Sequence, residues 1–232
     1  VSSQYISSLL LIAAKLENGL EIELLGKITS IPYINMTLSL LWQLGIEASF
    51  VGSKITVLPK KTIEKQTVVV ESDWSSVSYF YALIASAEIG AEIKLSAYKK
   101  DSLQGDSCLA KIYTHFGVTT FFGEDFITLK KEQKSRMETL EIDLKNAPDI
   151  AQTIAVTCFS EGVSCNLFGL HTLKIKETDR LEALKAELTK LGAVINVTNE
   201  SLHLERSAEI KENIAIKTYN DHRMAMAFAP LA

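Results

Sequence analysis

Apolar and polar positions along the chain repeat with a long period. Polar, helix-starting clusters stand at Ser2-Ser3-Gln4, Ser75-Ser76-Val77, Pro148-Asp149-Ile150 and Asp221-His222-Arg223, and their first residues are 73 apart each time. A fixed period of this length marks a repeat architecture and decides the fold before any local reading does. After each of the first three clusters comes an apolar stretch of helical length, such as Tyr79-Phe80-Tyr81-Ala82-Leu83-Ile84-Ala85. Gly19, Gly90 and Gly162 fit a glycine stop for those helices. Alternating runs follow at 20–24, 91–95 and 163–167 and predict strands. A second helix in each unit ends at Leu44-Gly45, Phe116-Gly117 and Leu191-Gly192, and hairpins turn near Gly52, Gly123 and Asn199.

The predicted unit is therefore roughly α-β-α-β-β. A lone unit leaves an apolar helix face bare, so several must pack together. Over 178–191, Leu181, Leu184, Leu188 and Leu191 form one buried stripe, while Glu182, Lys185 and Lys190 take the wet side. After Pro59 the pattern lapses into the charged stretch 60–65, which is either a solvated connection or a hinge, and a further strand is expected over 67–70.

Composition narrows the class. The 232 residues are 47% hydrophobic and 22% charged, as in a folded globular chain, and uninterrupted apolar runs such as 9–14 are too short to cross a bilayer. The net charge of −4, from 24 basic and 28 acidic residues, supplies no global field for nucleic acid or an anionic membrane, so any anion site must be local. Cys108, Cys158 and Cys165 show no metal-ligand spacing and read as reduced core residues of a cytoplasmic protein. Val1 stands where a start would have Met, and the opening residues lack the basic stretch of a secretory signal, so the chain reads as an internal piece.

Nucleotide-binding, zinc-protease and serine-hydrolase motifs are absent, which leaves the polar helix starts as candidate chemistry. Ser2, Ser3 and Gln4 would either bind a phosphate at a helix N-terminus or cap the helix. Asp149 reads most simply as a cap. Lys174-Ile175-Lys176-Glu177-Thr178-Asp179-Arg180 is either a solvated face with i, i+4 pairs or a gathering of Lys176, Glu177 and Arg180 at a helix start. Arg223, at the rim of a core, calls for an anionic partner, and His222 alone reads as a packed or capping residue.

At these residues the sequence resembles the EPSP synthases, the 3-phosphoshikimate 1-carboxyvinyltransferases. The resemblance rests on Asn220-Asp221-His222-Arg223-Met224-Ala225-Met226 and Lys176-Glu177-Thr178-Asp179-Arg180-Leu181. Ser2-Ser3-Gln4, Ser30 with Pro32-Tyr33, Gln104-Gly105-Asp106 and Pro148-Asp149 fall in the order expected of that family. It implies an α/β (α+β) enolpyruvyl transferase fold with two lobes of βαβαββ repeats. Residues 1–68 would be part of the first lobe, its third unit, and 69–232 two units of the second lobe with the start of a third. The hinge would lie at 68–71.

The implied reaction moves the enolpyruvyl group of phosphoenolpyruvate onto the 5-hydroxyl of shikimate 3-phosphate, with no metal or organic cofactor. By resemblance, Ser2, Ser3, Gln4, Ser30, Tyr33, Asp149, Thr172 and Lys176 hold shikimate 3-phosphate, and Gln4, Arg180 and Arg223 hold phosphoenolpyruvate. Asp149 acts on the 5-hydroxyl proton and Glu177 on the methylene proton, while Lys176 and Arg223 stabilise charge in the tetrahedral intermediate. Thr172 replaces a common asparagine and Ser72 a frequent glycine. The family's N-terminal lysine, first-lobe arginine and late lysine have no counterpart here, so the chain alone is expected to be inactive. The parent is expected to be a monomer whose partners are these two small anions, with no nucleic acid and no membrane. The alternatives are the related transferase acting on UDP-N-acetylglucosamine, which ordinarily lacks both motifs, and a non-catalytic repeat module.

Overall fold

The computed structural model describes residues 3–26, 28, 30–207 and 209–231. The chain folds as two compact units, 1–70 with 103–105, and 71–102 with 106–232.

In the first unit, α1 (Ser3–Ala13) is followed by β1 (Leu20–Glu23), α2 (Ile31–Gln43) and the hairpin β2 (Ala48–Val51) and β3 (Lys54–Val57). The sheet order is β1-β3-β2, antiparallel throughout. Pro32 sits in the first turn of α2, where its fixed φ and missing N–H are tolerated. Leu10, Ala13, Ile34, Leu41, Ile55 and Val57 make the core of this unit. The opposite face of α1 leaves Tyr5, Leu9, Leu11 and Ile12 exposed.

The second unit runs through α3 (Trp74–Ser86), β4 (Glu92–Ser96), α4 (Leu109–Ile112), β5 (Val118–Phe122), β6 (Phe126–Lys131), β7 (Thr139–Asp143) and α5 (Ala151–Ser160). It continues with β8 (Ser164–Phe168), α6 (Arg180–Lys190), β9 (Ile195–Val197), β10 (Ser201–Leu204) and α7 (His222–Phe228). Its sheets are β4-β6-β5, antiparallel, and β7-β8-β10-β9, in which β7 and β8 are parallel and the rest antiparallel.

Helices therefore stand at all four clusters of the 73-residue period. Strands β1, β4 and β8 fall on the alternating runs, the hairpins turn at the marked positions, and Leu181, Leu184, Leu188 and Leu191 are all buried. Gly117 shows why glycine ends the second helical stretch: its φ is 74°, and a Cβ there would lie 1.8 Å from the carbonyl oxygen of Gln133.

Three local features depart from the sequence reading. The segment 67–70 is not a strand, because no backbone ladder forms there, and Val69 and Val70 are exposed. Strand β7, not expected as such, pairs in parallel with β8 and occupies the position 72 to 73 residues later in the repeat. The second helix of the middle unit breaks into α4 and the flanking 3-10 turns Gly105–Cys108 and Tyr113–Phe116. Tyr113, Thr114, His115 and Phe116 are poor helix formers, and the Tyr113 hydroxyl is instead paired with Thr157 at 2.9 Å. Cys158 and Cys165 are buried and free, and Cys108 is free and partly buried.

Helices α3, α5 and α7, one period apart, pack on one another. Ser78 on α3 meets Thr153 on α5 hydroxyl to hydroxyl at 3.0 Å. Trp74, Tyr81, Tyr113, Phe116 and Phe159 fill the space between helices and sheets, and each such large apolar side chain stabilises the fold by about 1.5–3 kcal/mol.

Candidate active site

Because α3, α5 and α7 pack together, side chains a full repeat apart in sequence are brought into contact. Asp73 caps α3, its carboxylate accepting from the Ser75 amide at 2.8 Å, and Asp221 caps α7, accepting from the Arg223 amide at 2.9 Å. Asp179 caps α6 through the Glu182 amide. Between them the 3-10 turn Pro148–Ile150 leads into α5 without any side-chain cap. The carboxylate of Asp149 is thus free of the capping task and turns to cations.

Its Oδ1 lies 3.1 Å from Arg180 Nη1 and 3.3 Å from Lys176 Nζ, and its Oδ2 lies 3.4 Å from Arg223 Nη2. Arg223 Nη1 also donates to the Asp149 backbone carbonyl at 3.3 Å. Arg180 opens α6 with its side chain 1% exposed. Its Nε donates to Asp221 Oδ2 at 2.7 Å, Nη2 to Asp221 Oδ1 at 3.3 Å and to Glu177 Oε2 at 2.5 Å, and Nη1 to Asp149. All three guanidinium nitrogens therefore face carboxylates, the fork geometry at which arginine excels.

Three acids, Asp149, Glu177 and Asp221, balance three cations, Lys176, Arg180 and Arg223. Burial works to raise the Asp221 pKa, but the bonds and charge of Arg180 and the Arg223 amide hold it below the usual carboxylate range. Arg223 is half-buried, which favours its neutral form, yet Asp149 first, then Tyr79, Asp106 and Asp73, keep it firmly charged.

The sequence-named residues thus separate by place. Asp149, Lys176, Glu177, Arg180 and Arg223 meet in one cluster of the second unit. Lys176 pairs with Asp149 rather than within its own run. Arg180, expected to hold phosphoenolpyruvate, contacts acids of the protein and has almost no exposed surface, whereas Lys176 and Arg223 keep an open side and Glu177 is 48% exposed. Thr172 sits in the 3-10 turn His171–Ile175, and its buried hydroxyl makes no hydrogen bond among the described residues.

Ser3, Gln4, Ser30 and Tyr33 belong to the first unit. Ser3 and Gln4 open α1. Ser30 precedes α2 in the left-handed region (φ 55°), and its carbonyl accepts from the Tyr33 amide at 3.0 Å. The Thr37 hydroxyl bridges Tyr33's carbonyl and Ser7 on α1 at 3.1 and 2.9 Å, tying the starts of the two helices. Ser2 lies outside the described residues.

Two contributors escaped the sequence reading. Tyr79, one turn into α3, lies near the two guanidinium groups, and burial raises its pKa against the pull of Arg223 and Arg180. Asp221 was legible as a helix start but not as the partner of Arg180, since nothing local links residues 41 apart.

A family model described as EPSP synthase (3-phosphoshikimate 1-carboxyvinyltransferase) matches residues 1–232. A 3-phosphoshikimate 1-carboxyvinyltransferase of Bacteroides fragilis is 44% identical over all of this chain and 57% of its own length. One from Histophilus somni is 36% identical over the whole chain and 53% of its own length. The chain thus spans about half the length of the curated relatives it matches. Among solved structures, an EPSP synthase from Acinetobacter baumannii superposes with a TM-score of 0.73 at 19% identity, covering 99% of this chain and 54% of its own. The enolpyruvyl transferase NikO from Streptomyces tendae gives a TM-score of 0.57 at 13% identity over 94% of this chain and 50% of its own. The 73-residue repeat, the enolpyruvyl transferase architecture and a family match along its full length together establish that the chain belongs to the EPSP synthase family.

Proposed function

We propose that this chain is part of an enzyme that transfers the enolpyruvyl group of phosphoenolpyruvate to the 5-hydroxyl of shikimate 3-phosphate and releases phosphate. The observation that carries the reading is Asp149, an acid without a capping role held between Lys176, Arg180 and Arg223. In this reading the Asp149 carboxylate takes the 5-hydroxyl proton as that oxygen bonds to the central carbon of phosphoenolpyruvate. Glu177, with its open side, delivers a proton to the methylene carbon, which becomes a methyl group. Lys176 and Arg223 offset the charge of the tetrahedral adduct. Phosphate then leaves with the proton held by Asp149, while the methyl group returns a proton to Glu177, which leaves the enol ether and restores both acids. Arg180 acts from behind, fixing Asp149 and Glu177 with respect to each other. By resemblance alone, Ser2, Ser3, Gln4, Ser30, Tyr33 and Thr172 are assigned to shikimate 3-phosphate, and Gln4 also to phosphoenolpyruvate.

Phosphate release by the complete enzyme, measured with shikimate 3-phosphate and with UDP-N-acetylglucosamine, tests this. Turnover with the first and none with the second is expected; preference for the nucleotide sugar would overturn it. The 232-residue chain assayed by itself is expected to release no phosphate, since it spans about half the length of its curated relatives.

A further inference from the structure

Helix α6 carries a second buried acid that the chemistry above does not use. Glu187 lies seven residues after Arg180, two turns along and on the same face, and it is fully buried. Lys190 Nζ reaches both its oxygens, at 2.8 and 2.6 Å. That pair alone would neutralise it. The carboxylate makes two more bonds, however, and both go to one irregular segment: the Lys217 amide donates to Oε2 at 3.0 Å and the Tyr219 hydroxyl to Oε1 at 2.8 Å.

The turn that closes this segment is strained. Tyr219 and Asn220 have φ of 58° and 54°, two successive non-glycine residues in the left-handed region, which Cβ sterics disfavour. Such a turn persists only where its surroundings over-determine it. No strand ladder holds 211–219. The turn is instead bracketed by two ties to the same helix, Glu187 to Lys217 and Tyr219 on one side, and Arg180 to Asp221 on the other. Asp221 in turn caps α7 at Arg223, and Arg223 reaches Asp149.

We infer that Glu187 is a positioning residue: by gripping the Lys217 amide and the Tyr219 hydroxyl it holds the left-handed Tyr219–Asn220 turn, and thereby sets Asp221 against Arg180 and Arg223 against Asp149. Glu187 touches no reacting group. Its contribution to turnover rests on the function proposed above, whereas its grip on the turn does not.

The test uses Glu187→Gln, which keeps the shape and removes the charge, and Tyr219→Phe, which removes only the hydroxyl at the far end of the bond. In the 232-residue chain, amide hydrogen exchange at 217–223 should quicken by about tenfold or more in both variants, with smaller changes in α5 and α6. The Arg180 Nε–H resonance should shift in both. Unchanged exchange at 217–223, or a uniform rise throughout the unit, would show a merely structural acid and overturn the inference. In the complete enzyme each variant should lower kcat/KM by about tenfold, mostly through kcat, since misplaced groups lose rate more than binding. Local loosening with kcat/KM within about twofold of the parent would overturn the role in catalysis. A parent that fails to turn over shikimate 3-phosphate would instead remove the proposed function, and the exchange result would still decide whether Glu187 holds the turn.

Discussion

Asp149 shows how one residue's task depends on what its neighbours leave undone. Asp73, Asp179 and Asp221 each accept from a backbone amide at a helix start, as short acids there usually do. From sequence Asp149 looked the same, because a cap and a catalytic acid share a residue type and a position. The difference lies in the third dimension: the 3-10 turn Pro148–Ile150 has no side-chain cap, and the charges of Lys176, Arg180 and Arg223 arrive from other elements. Asp149→Asn should therefore leave the fold intact and lower kcat of the complete enzyme by about 10² to 10⁴, the usual worth of one positioned acid or base. Glu177→Gln should slow proton exchange at the phosphoenolpyruvate methylene in particular. Steady-state kinetics and deuterium incorporation check the pair, and an unchanged kcat in Asp149→Asn would return that residue to a structural role.

At the level of elements, local chemistry wrote most of the fold plainly. The glycine stops, the alternating runs and the leucine stripe of α6 carry their own periodicity, so their positions could be read without any partner. The strand expected at 67–70 shows the limit of that reading. Val68-Val69-Val70 has strand composition, but a strand is a pairing, and this segment has none, while β7 with its less regular sequence pairs in parallel with β8. Lys131, at the end of β6, was equally illegible. It looks like a surface charge on a hairpin, yet it is buried, and its ammonium group donates to the carbonyls of Ala85 at the end of α3 and of Phe116, the latter at 3.0 Å, beside Glu161 at 3.5 Å. One cation thus serves the C-terminal ends of two helical stretches, where the helix dipole favours positive charge. Lys131→Met keeps the aliphatic stem but leaves those carbonyls and Glu161 without their donor, and should lower stability by about 3 kcal/mol. Urea unfolding measures this; a loss below about 1 kcal/mol, the range of an exposed pair, would show that the ammonium group contributes little.

For the whole molecule, the repeat is what makes the site. Stacking helices one period apart sets their N-terminal ends near each other, so Arg223 meets Asp149 across 74 residues of sequence, and a chain with net charge −4 gathers Lys176, Arg180 and Arg223 in one place, each matched by an acid of the same cluster. The period was legible in the sequence; the pairings it creates were not, because a repeat fixes which elements are equivalent but not which of their side chains touch. The same acids that organise the site also tie stability to pH. Burial pushes the Asp221 and Glu187 pKa values up, but Arg180 and the Arg223 amide for the first, and Lys190, the Lys217 amide and Tyr219 for the second, outweigh it and hold both low. A carboxylate depressed in the folded state stabilises that state above its unfolded pKa, about 3.9 for Asp and 4.3 for Glu, and loses the effect as pH falls through the folded value. Stability should thus be nearly flat in these two groups from pH 7 to about pH 5 and decline steeply below about pH 4. Asp221→Asn and Glu187→Gln should each start less stable at pH 7 and show a shallower acid decline, because the group that must be protonated is gone. Urea midpoints of the three proteins from pH 7 down to pH 3 settle it: variants that keep the parent's acid slope would locate the acid sensitivity in carboxylates other than these two.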